Sequence, residues 1–174
     1  ASISWRHGAA TSTLTIGASS GQTVKILGGE PLAAVLYYRA KGANFTNKKT
    51  GELFQATNRN GFGFLAREGK MGSFINNGTI EGGFTGVRFD QTAITTIVNN
   101  GTIIGSIKGG NADRTWRSAG MEIMAQNIGS LENSGRIQGN TGLYLEDVWM
   151  KEIVNKSGGV IAGTGALSYD KVWN

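Results

Sequence analysis

One nine-residue motif recurs along this chain and constrains its fold more than any other feature. It reads IVNNGTIIG at Ile97–Gly105, and related versions occupy Phe74–Gly82, Leu131–Gly139 and, with an insertion, Ile153–Gly163. The asparagines of the four copies are separated by 23, 34 and 22 residues, and they are Asn76, Asn99, Asn133 and Asn155. A motif that returns at a nearly constant interval is typical of a solenoid, in which each repeat is one coil of a stack.

A second column of residues, led by glycine, repeats in step with the asparagines. Its glycines are separated by 25, 34 and 22 residues, and they are Gly61, Gly86, Gly120 and Gly142. Each opens a segment in which apolar and variable residues alternate, which predicts a strand with one buried face. An isolated Asn-Asn-Gly hairpin turn would not recur in register with a second column, so we expect coils rather than hairpins.

The length of the repeat predicts the shape of one coil. Three strands of four to six residues and three turns account for about 22 residues, at roughly 3.3 Å per strand residue. Helices are not expected, because no apolar 3.6-residue period is sustained and glycine and β-branched residues are frequent. The sequence therefore predicts an all-β parallel β-helix, a three-sided solenoid of about six or seven coils of about 22–25 residues. Asparagine suits a bend because it tolerates left-handed backbone angles, and stacked amides can hydrogen-bond from coil to coil.

The predicted domain organisation is one β-helix over residues 12–174, preceded by a lead-in strand or cap at residues 1–11. The apolar run Leu32–Tyr38 could be a short helix beginning at Pro31 or a buried strand. We favour the strand, because residues 42–47 continue it like a repeat. One interval is 34 residues long instead of about 23, which predicts a protruding loop at about 108–119.

The alternation after each glycine predicts which side chains face the core. We expect inward-facing apolar side chains at Phe62, Phe64, Val87, Phe89, Met121, Ile123, Leu143 and Leu145. We expect outward-facing side chains at Gly63, Arg88, Glu122 and Tyr144, and then at Leu65, Asp90, Met124 and Glu146. Because neighbouring coils lie about 4.8 Å apart, Arg88 and Glu122 should form an exposed pair.

Composition limits the chemistry of the chain. It has no cysteine and one histidine, His7, so disulfides, thiolate sites and ordinary zinc sites are excluded, and we expect no metal and no cofactor. The net charge of +5 favours anionic partners. The basic residues are scattered rather than clustered, so we do not expect nucleic acid to be the partner.

Three stretches are candidates for binding. The long loop carries Trp116 between Arg114 and Arg117, a composition typical of binding hot spots, although Trp116 could instead fold back and cover the stack. Arg88 and Tyr144 form a second candidate on the outward strand face. A smaller candidate is Asp147–Lys151, whose Trp149 could equally be a patch that covers one bend.

An enzymatic reading depends on carboxylates, because a catalytic triad would have to take its histidine from the lead-in segment. Asp90 and Glu146 are expected two coils apart, about 9–10 Å, which is near the upper limit for an inverting pair of a polysaccharide hydrolase. Glu122 lies between them but two residues out of register, and no Asp-Asp pair or catalytic Lys/Arg cluster accompanies them. We therefore predict no catalytic residues.

The repeat Ile-x-Asn-x-Gly-x-Ile-x-Gly, with glycine-led apolar strands between its copies, resembles the passenger domains of Gram-negative type V autotransporters over about residues 40–170. The resemblance implies a right-handed β-helix on the bacterial surface or secreted, exported through an outer-membrane barrel that is absent from this chain. It also implies an adhesin or interaction surface toward host cells, matrix or sister bacteria. The expected partners are a host receptor, an anionic glycan or matrix, or another copy of the chain. The alternatives are a secreted effector that engages one host receptor and, third, a polysaccharide lyase or hydrolase.

Overall fold

The regular structure of this chain is entirely β in the part that the structure describes. A computed structural model describes residues 3–6, 12–28, 33–55, 61–106, 118–124, 126–163 and 167–173. The strands in these segments are β1 Ile3–Arg6, β2 Thr13–Ile16, β3 Val24–Leu27, β4 Ala33–Asn47, β5 Gly51–Gln55, β6 Phe62–Asn76, β7 Thr79–Gly82, β8 Thr85–Asn99, β9 Thr102–Ile104, β10 Ala119–Met124, β11 Asn127–Asn133, β12 Arg136–Gln138, β13 Thr141–Asn155, β14 Val160–Ala162 and β15 Leu167–Trp173.

The strands form two sheets in which every pairing is parallel. One sheet has nine strands, with β1, β4, β6, β8, β10, β13 and β11 along its main path and β2 and β15 attached to β4 and β13. The other has six short strands in the order β14-β12-β9-β7-β5-β3. Each strand pairs with its copy from the preceding or following repeat, as β6 does with β8 and β7 with β9. The prediction of an all-β chain with parallel, stacked repeats is confirmed, and the architecture is that of a parallel β-solenoid.

The long strands bend without a turn. In β4, β6, β8 and β13, each of 15 residues, one non-glycine residue has a positive φ: Arg39 at 54°, Glu68 at 60°, Gln91 at 51° and Asp147 at 51°. A left-handed residue costs roughly 1–2 kcal/mol when it is not glycine. The ladders on either side of the bend continue through it, so the pairing compensates for that cost. The expectation of three short strands joined by three turns is therefore wrong at this corner, where one left-handed residue replaces a turn.

The core is a column of apolar side chains between the two sheets. The predicted inward residues are confirmed at Phe64, Val87, Phe89, Met121, Ile123, Leu143 and Leu145, all at most 2% exposed. The predicted alignment of β6 is wrong by two residues, because Phe64 pairs with Val87 and Leu65 with Arg88. Gly63, and not Gly61, is thus the counterpart of Gly86. A slip of two residues preserves inward and outward faces, so the core prediction survives it.

Phe62 belongs to a second, smaller apolar cluster. It packs with Ala33, Leu65 and Phe84, and not with the main column. Leu65, expected outward, is buried there at 3% exposure. Leu65 alternates with the core residues Phe64 and Ala66, so this second cluster lies on the opposite side of the strand from the main core.

Aromatic rings fill the N-terminal half of the core. Phe45, Phe64, Phe74 and Phe89 contact one another with ring centroids 4.7–5.9 Å apart. Tyr37 joins them, and its hydroxyl donates a hydrogen bond to the Asn44 carbonyl at 3.1 Å. Burial raises the pKa of the Tyr37 phenol above its ordinary value. In later repeats the corresponding positions carry methionine, isoleucine and leucine.

The asparagine ladder confirms the predicted alignment of Asn76, Asn99, Asn133 and Asn155 and adds Asn47 before them. Each Nδ2 donates to the Oδ1 of the next asparagine, at 2.9, 2.8, 2.8 and 2.7 Å in chain order. Each of the first four also donates to two backbone carbonyls, as Asn99 does to those of Gly101 and Arg136. The ladder ends at Asn47, whose buried Oδ1 has no hydrogen-bond partner, because its neighbour in β2 is Ile16.

Segments that the sequence placed outside the regular repeat also contribute to the stack. Within residues 1–11, β1 pairs in parallel with β4, and Trp5 stacks on Tyr37 with ring centroids 5.2 Å apart. The run Leu32–Tyr38 is a strand from Ala33 onward, as we favoured. Ser118 and Ala119, at the end of the segment predicted as a loop at about 108–119, are buried, and β10 begins at Ala119; residues 108–117 lie outside the described residues.

Candidate interaction surfaces

A row of charged side chains lies on the outward side of β6, β8 and β10. Arg67 Nε lies 3.5 Å from Asp90 Oδ2, and Arg88 Nη2 lies 3.4 Å from the same oxygen. Arg88 Nη1 lies 3.5 Å from Glu122 Oε2, so the predicted Arg88–Glu122 contact is confirmed. We call these four residues the arginine–carboxylate row. It ties three neighbouring strands together on their outer side.

The expectation that the Arg88–Glu122 pair is exposed is wrong. The Glu122 side chain is 1% exposed and that of Arg88 22%. Arg88 also lies over the Phe62 ring, with its guanidinium carbon 5.5 Å from the ring centroid. A buried charge that loses its partner costs about 3–5 kcal/mol, far more than an exposed pair contributes. The main role of the Arg88–Glu122 pair is therefore to stabilise the fold, and binding a ligand would be secondary.

Tyr144 is also buried, although it was predicted to face outward as a binding residue. It is 5% exposed, and its hydroxyl donates a hydrogen bond to Glu146 Oε2 at 2.8 Å. Tyr144 pairs in register with Glu122. The two predicted binding residues of the strand face, Arg88 and Tyr144, thus lie on either side of Glu122 and are largely engaged with their own neighbours.

The carboxylates considered for catalysis are aligned as predicted. Asp90 pairs with Met124 and Met124 with Glu146, so the two carboxylates lie two strand spacings apart, about 9–10 Å. Asp90 contacts two guanidinium groups, and Glu146 accepts the hydroxyl of Tyr144. Each carboxylate is thus already engaged by a neighbouring side chain. Among the described residues, no group of three or more histidine, cysteine, aspartate or glutamate side chains is placed to hold a metal ion.

A concavity crosses the repeats next to the left-handed corner. Its volume is about 450 Å³, within the range of ligand sites. We call it the axial groove, and its lining residues are Lys70, Met71, Ala93, Ile94, Thr95, Asn127, Ile128 and Gly129. They come from β6, β8 and β11, so the groove runs across the strands, along the axis of the stack.

The strands form the groove because their alternation is interrupted there. In β8, Thr95 and Thr96 both lie outside the core between the buried Ile94 and Ile97. The same pattern recurs in register in β6 and β11, so the interruption repeats from coil to coil. Small residues, Ala93 and Gly129, leave the space above this irregularity open.

One row of outward side chains runs along the groove and beyond it. Lys41 pairs with Lys70 and Lys70 with Ala93, while Asn127 pairs with Trp149. Trp149 is 53% exposed. The sequence singled out Trp149 within Asp147–Lys151 but not Lys70 or Asn127. The signal that could have found them is the repeat itself, because residues one period apart must become neighbours.

The loop hypothesis concerns residues for which the structure gives no description. Arg114, Trp116 and Arg117 all lie outside the described residues, as does His7. Their proposed role in recognition stays a prediction from the sequence.

Comparison with known proteins identifies no relative. No family model, no curated protein and no solved structure matches the chain. The described part of the chain also contains no helix long and apolar enough to cross a membrane.

Proposed function

We propose that this chain is a right-handed, three-sided β-helix of about six or seven coils that acts as an interaction surface, in the manner of an autotransporter passenger. On this proposal it is an adhesin, displayed on a bacterial surface or secreted, and its partners are host cells, matrix or sister bacteria. The repeat style of the sequence supports the family assignment. The parallel strands and the asparagine ladder are compatible with it.

The axial groove is the observation that carries the binding role. It combines an apolar floor, at Ile94 and Ile128, with polar side chains at its rim, and Trp149 continues its line. Mostly apolar pockets with a few polar groups are the usual form of a binding site. The net charge of +5 adds a long-range attraction to anionic surfaces.

A catalytic function would depend on the outward face of β8 and β13 and has less support. The aligned carboxylates Asp90 and Glu146 are engaged by arginine and tyrosine side chains. We therefore keep the polysaccharide lyase or hydrolase as a third candidate, behind the adhesin and the effector that engages a single receptor.

Binding of the purified chain to cultured host cells and to immobilised matrix, over a range of salt concentrations, tests the proposal. An adhesin should bind broadly and lose affinity as salt increases, because its charge attraction is screened. One saturable receptor that salt barely affects would favour the effector. Absence of binding to cells, matrix and the chain itself would contradict the proposed function.

A further inference from the structure

We propose that the axial groove binds an acidic oligosaccharide whose chain runs along the axis of the stack. In this arrangement Lys70 and the adjacent Lys41 hold the acidic groups, and one sugar ring stacks on Trp149. The inference rests on the proposed interaction function and gives it a ligand class. It has its own test, because a protein can bind cells through a different surface.

The charge at one end of the groove is available to a ligand. Lys41 and Lys70 are exposed neighbours in register, and in the described part of the chain neither has an ion-pair partner. Several other exposed cations do have ion-pair partners, as Lys25 has Glu52 and Arg39 has Glu68. Two adjacent ammonium groups without anions repel each other and are stabilised by an anionic ligand.

The surface beyond the other end of the groove, around Trp149, carries no comparable excess of positive charge among the described residues. Trp149 offers an exposed indole, but the nearby side chains have mixed charge, since Asp147, Lys151 and Glu152 are all exposed. A ligand should therefore place its acidic groups toward Lys70 and an uncharged ring face toward Trp149. This polarity sets the expected direction of binding.

The middle of the groove suits sugar rings. Thr95 and Asn127 are exposed, and in the described part of the chain neither side chain makes a hydrogen bond. A hydroxyl and an amide can each donate and accept, which matches sugar hydroxyls. Half-buried Ala93 offers an apolar surface to the C–H face of a ring, and the core residues Met71, Ile94 and Ile128 lie beneath it.

The strand pairing favours a saccharide over a peptide. A peptide held by its main chain needs a free strand edge, yet β6, β8 and β11 each have parallel partners on both sides. Equivalent side chains recur along the axis every 4.8 Å or so, which is close to the length of one pyranose unit in an extended chain. The span from Lys70 to Trp149 covers three such steps, about 14 Å, or roughly three sugars.

The test uses a matched pair of ligands, a hexamer of β-1,4-linked mannuronate and the neutral β-1,4-linked mannohexaose, measured by titration calorimetry. A heparin hexasaccharide forms a third arm, which distinguishes carboxylate from sulfate as the preferred acidic group. The protein variants are Trp149→Ala, Trp149→Tyr, Lys70→Glu and Ala93→Gln, which fills the groove. Lys49→Ala is the matched control, because Lys49 is an exposed lysine in the turn between β4 and β5.

We expect the wild type to bind an acidic hexamer at least about tenfold more tightly than the neutral one, with strong salt dependence. Trp149→Ala should weaken binding by about 10- to 30-fold, as expected for an aromatic anchor, and Trp149→Tyr should restore most of the loss. Lys70→Glu should remove the preference for the acidic ligand, and Ala93→Gln should weaken binding of every hexamer. Lys49→Ala should change nothing. Circular dichroism and thermal unfolding establish that each variant is folded.

Equal affinity for the acidic and neutral hexamers, or no binding of any hexamer by the wild type, would overturn the inference. So would unchanged affinity in the folded Trp149→Ala and Lys70→Glu variants. Cell or matrix binding that persists in these two variants would be consistent with an adhesin that binds through another surface. It would refute the claim that the axial groove is the binding site. Saturable binding of a host protein that acidic hexamers do not displace would point to a polypeptide partner instead.

Discussion

Replacing Asn99 by alanine should destabilise the fold far more than the loss of an exposed amide would. The Asn99 side chain is fully buried and makes four hydrogen bonds, three donated by Nδ2 and one accepted from Asn76 by Oδ1. Gly101 O keeps a second donor, the Arg136 amide, and Asn76 Nδ2 keeps two carbonyls. The main orphan is therefore Asn133 Oδ1, which loses its ladder donor. One unsatisfied buried acceptor and the three other lost hydrogen bonds give about 3 kcal/mol, from the low end of the range for each.

Asn99→Asp separates hydrogen bonding from shape. Aspartate has nearly the same volume, but its carboxylate would face the three acceptor oxygens that now receive Nδ2. Burial and those oxygens should raise the pKa of the new carboxyl in the folded state. Below the unfolded-state pKa of about 3.9, the carboxyl is protonated in both states and costs little. As the pH rises above that value, the carboxyl ionises first in the unfolded chain, so the variant becomes progressively less stable. We expect the variant to lie much closer to wild type at pH 3.5 than at pH 7.

Urea denaturation followed by far-ultraviolet circular dichroism measures both effects. The matched control is Asn100→Ala, the next residue in the same bend. Its amide is exposed, donates to Asn77 Oδ1 at 2.8 Å and accepts from Ser134 Oγ at 2.6 Å. That change should cost no more than about 0.5 kcal/mol, as is usual for surface positions. Equal losses for Asn99→Ala and Asn100→Ala, or a pH-independent loss for Asn99→Asp, would refute the argument that the buried ladder stabilises the stack.

Three further predictions concern other sites. Because the pKa of Tyr37 is raised in the folded state, the Tyr37 phenol ionises first in the unfolded chain, and the free energy of unfolding should fall above about pH 10. Tyr37→Phe should flatten that fall, as measured by urea titrations at alkaline pH. The same variant should lose about 1 kcal/mol of stability near pH 7, because it lacks the hydroxyl's hydrogen bond. Ile16→Asn places a donor beside the orphaned Asn47 Oδ1, so it should melt at a clearly higher temperature than Ile16→Asp, which has the same shape without the donor. Incubation with pectin, alginate, hyaluronan and heparin should release no new chain ends; product that disappears in Asp90→Asn would establish the enzyme instead.

The period, the ladder and most of the core could be predicted from the sequence. Asn76, Asn99 and Asn133 occupy the same position in successive repeats, and in a stack of coils equivalent positions lie next to one another. The apolar residues at Val87, Met121 and Leu143 align for the same reason. A one-dimensional periodicity is thus sufficient to place these residues, because nearest-neighbour stacking is what forms the core.

Other features were decided only in three dimensions. Gly61 and Gly63 both fit the glycine column, and a two-residue slip leaves the inward and outward faces unchanged, so only the packing of Phe64 against its neighbours selects the register. The left-handed corner at Glu68 and Gln91 has no single residue type, so its sequence carries no signal.

The candidate site shows the same division between local pattern and tertiary contact. Glu122 and Tyr144 alternate outward along their strands, yet both are buried, because alternation records the side of a strand and not what covers it. Lys70 and Asn127 are far apart in the chain and meet across one groove because the coils stack. The sequence determined the repeat through its period, and the tertiary structure decided which of the repeated surfaces remain open, since exposure depends on every neighbour of a residue at once.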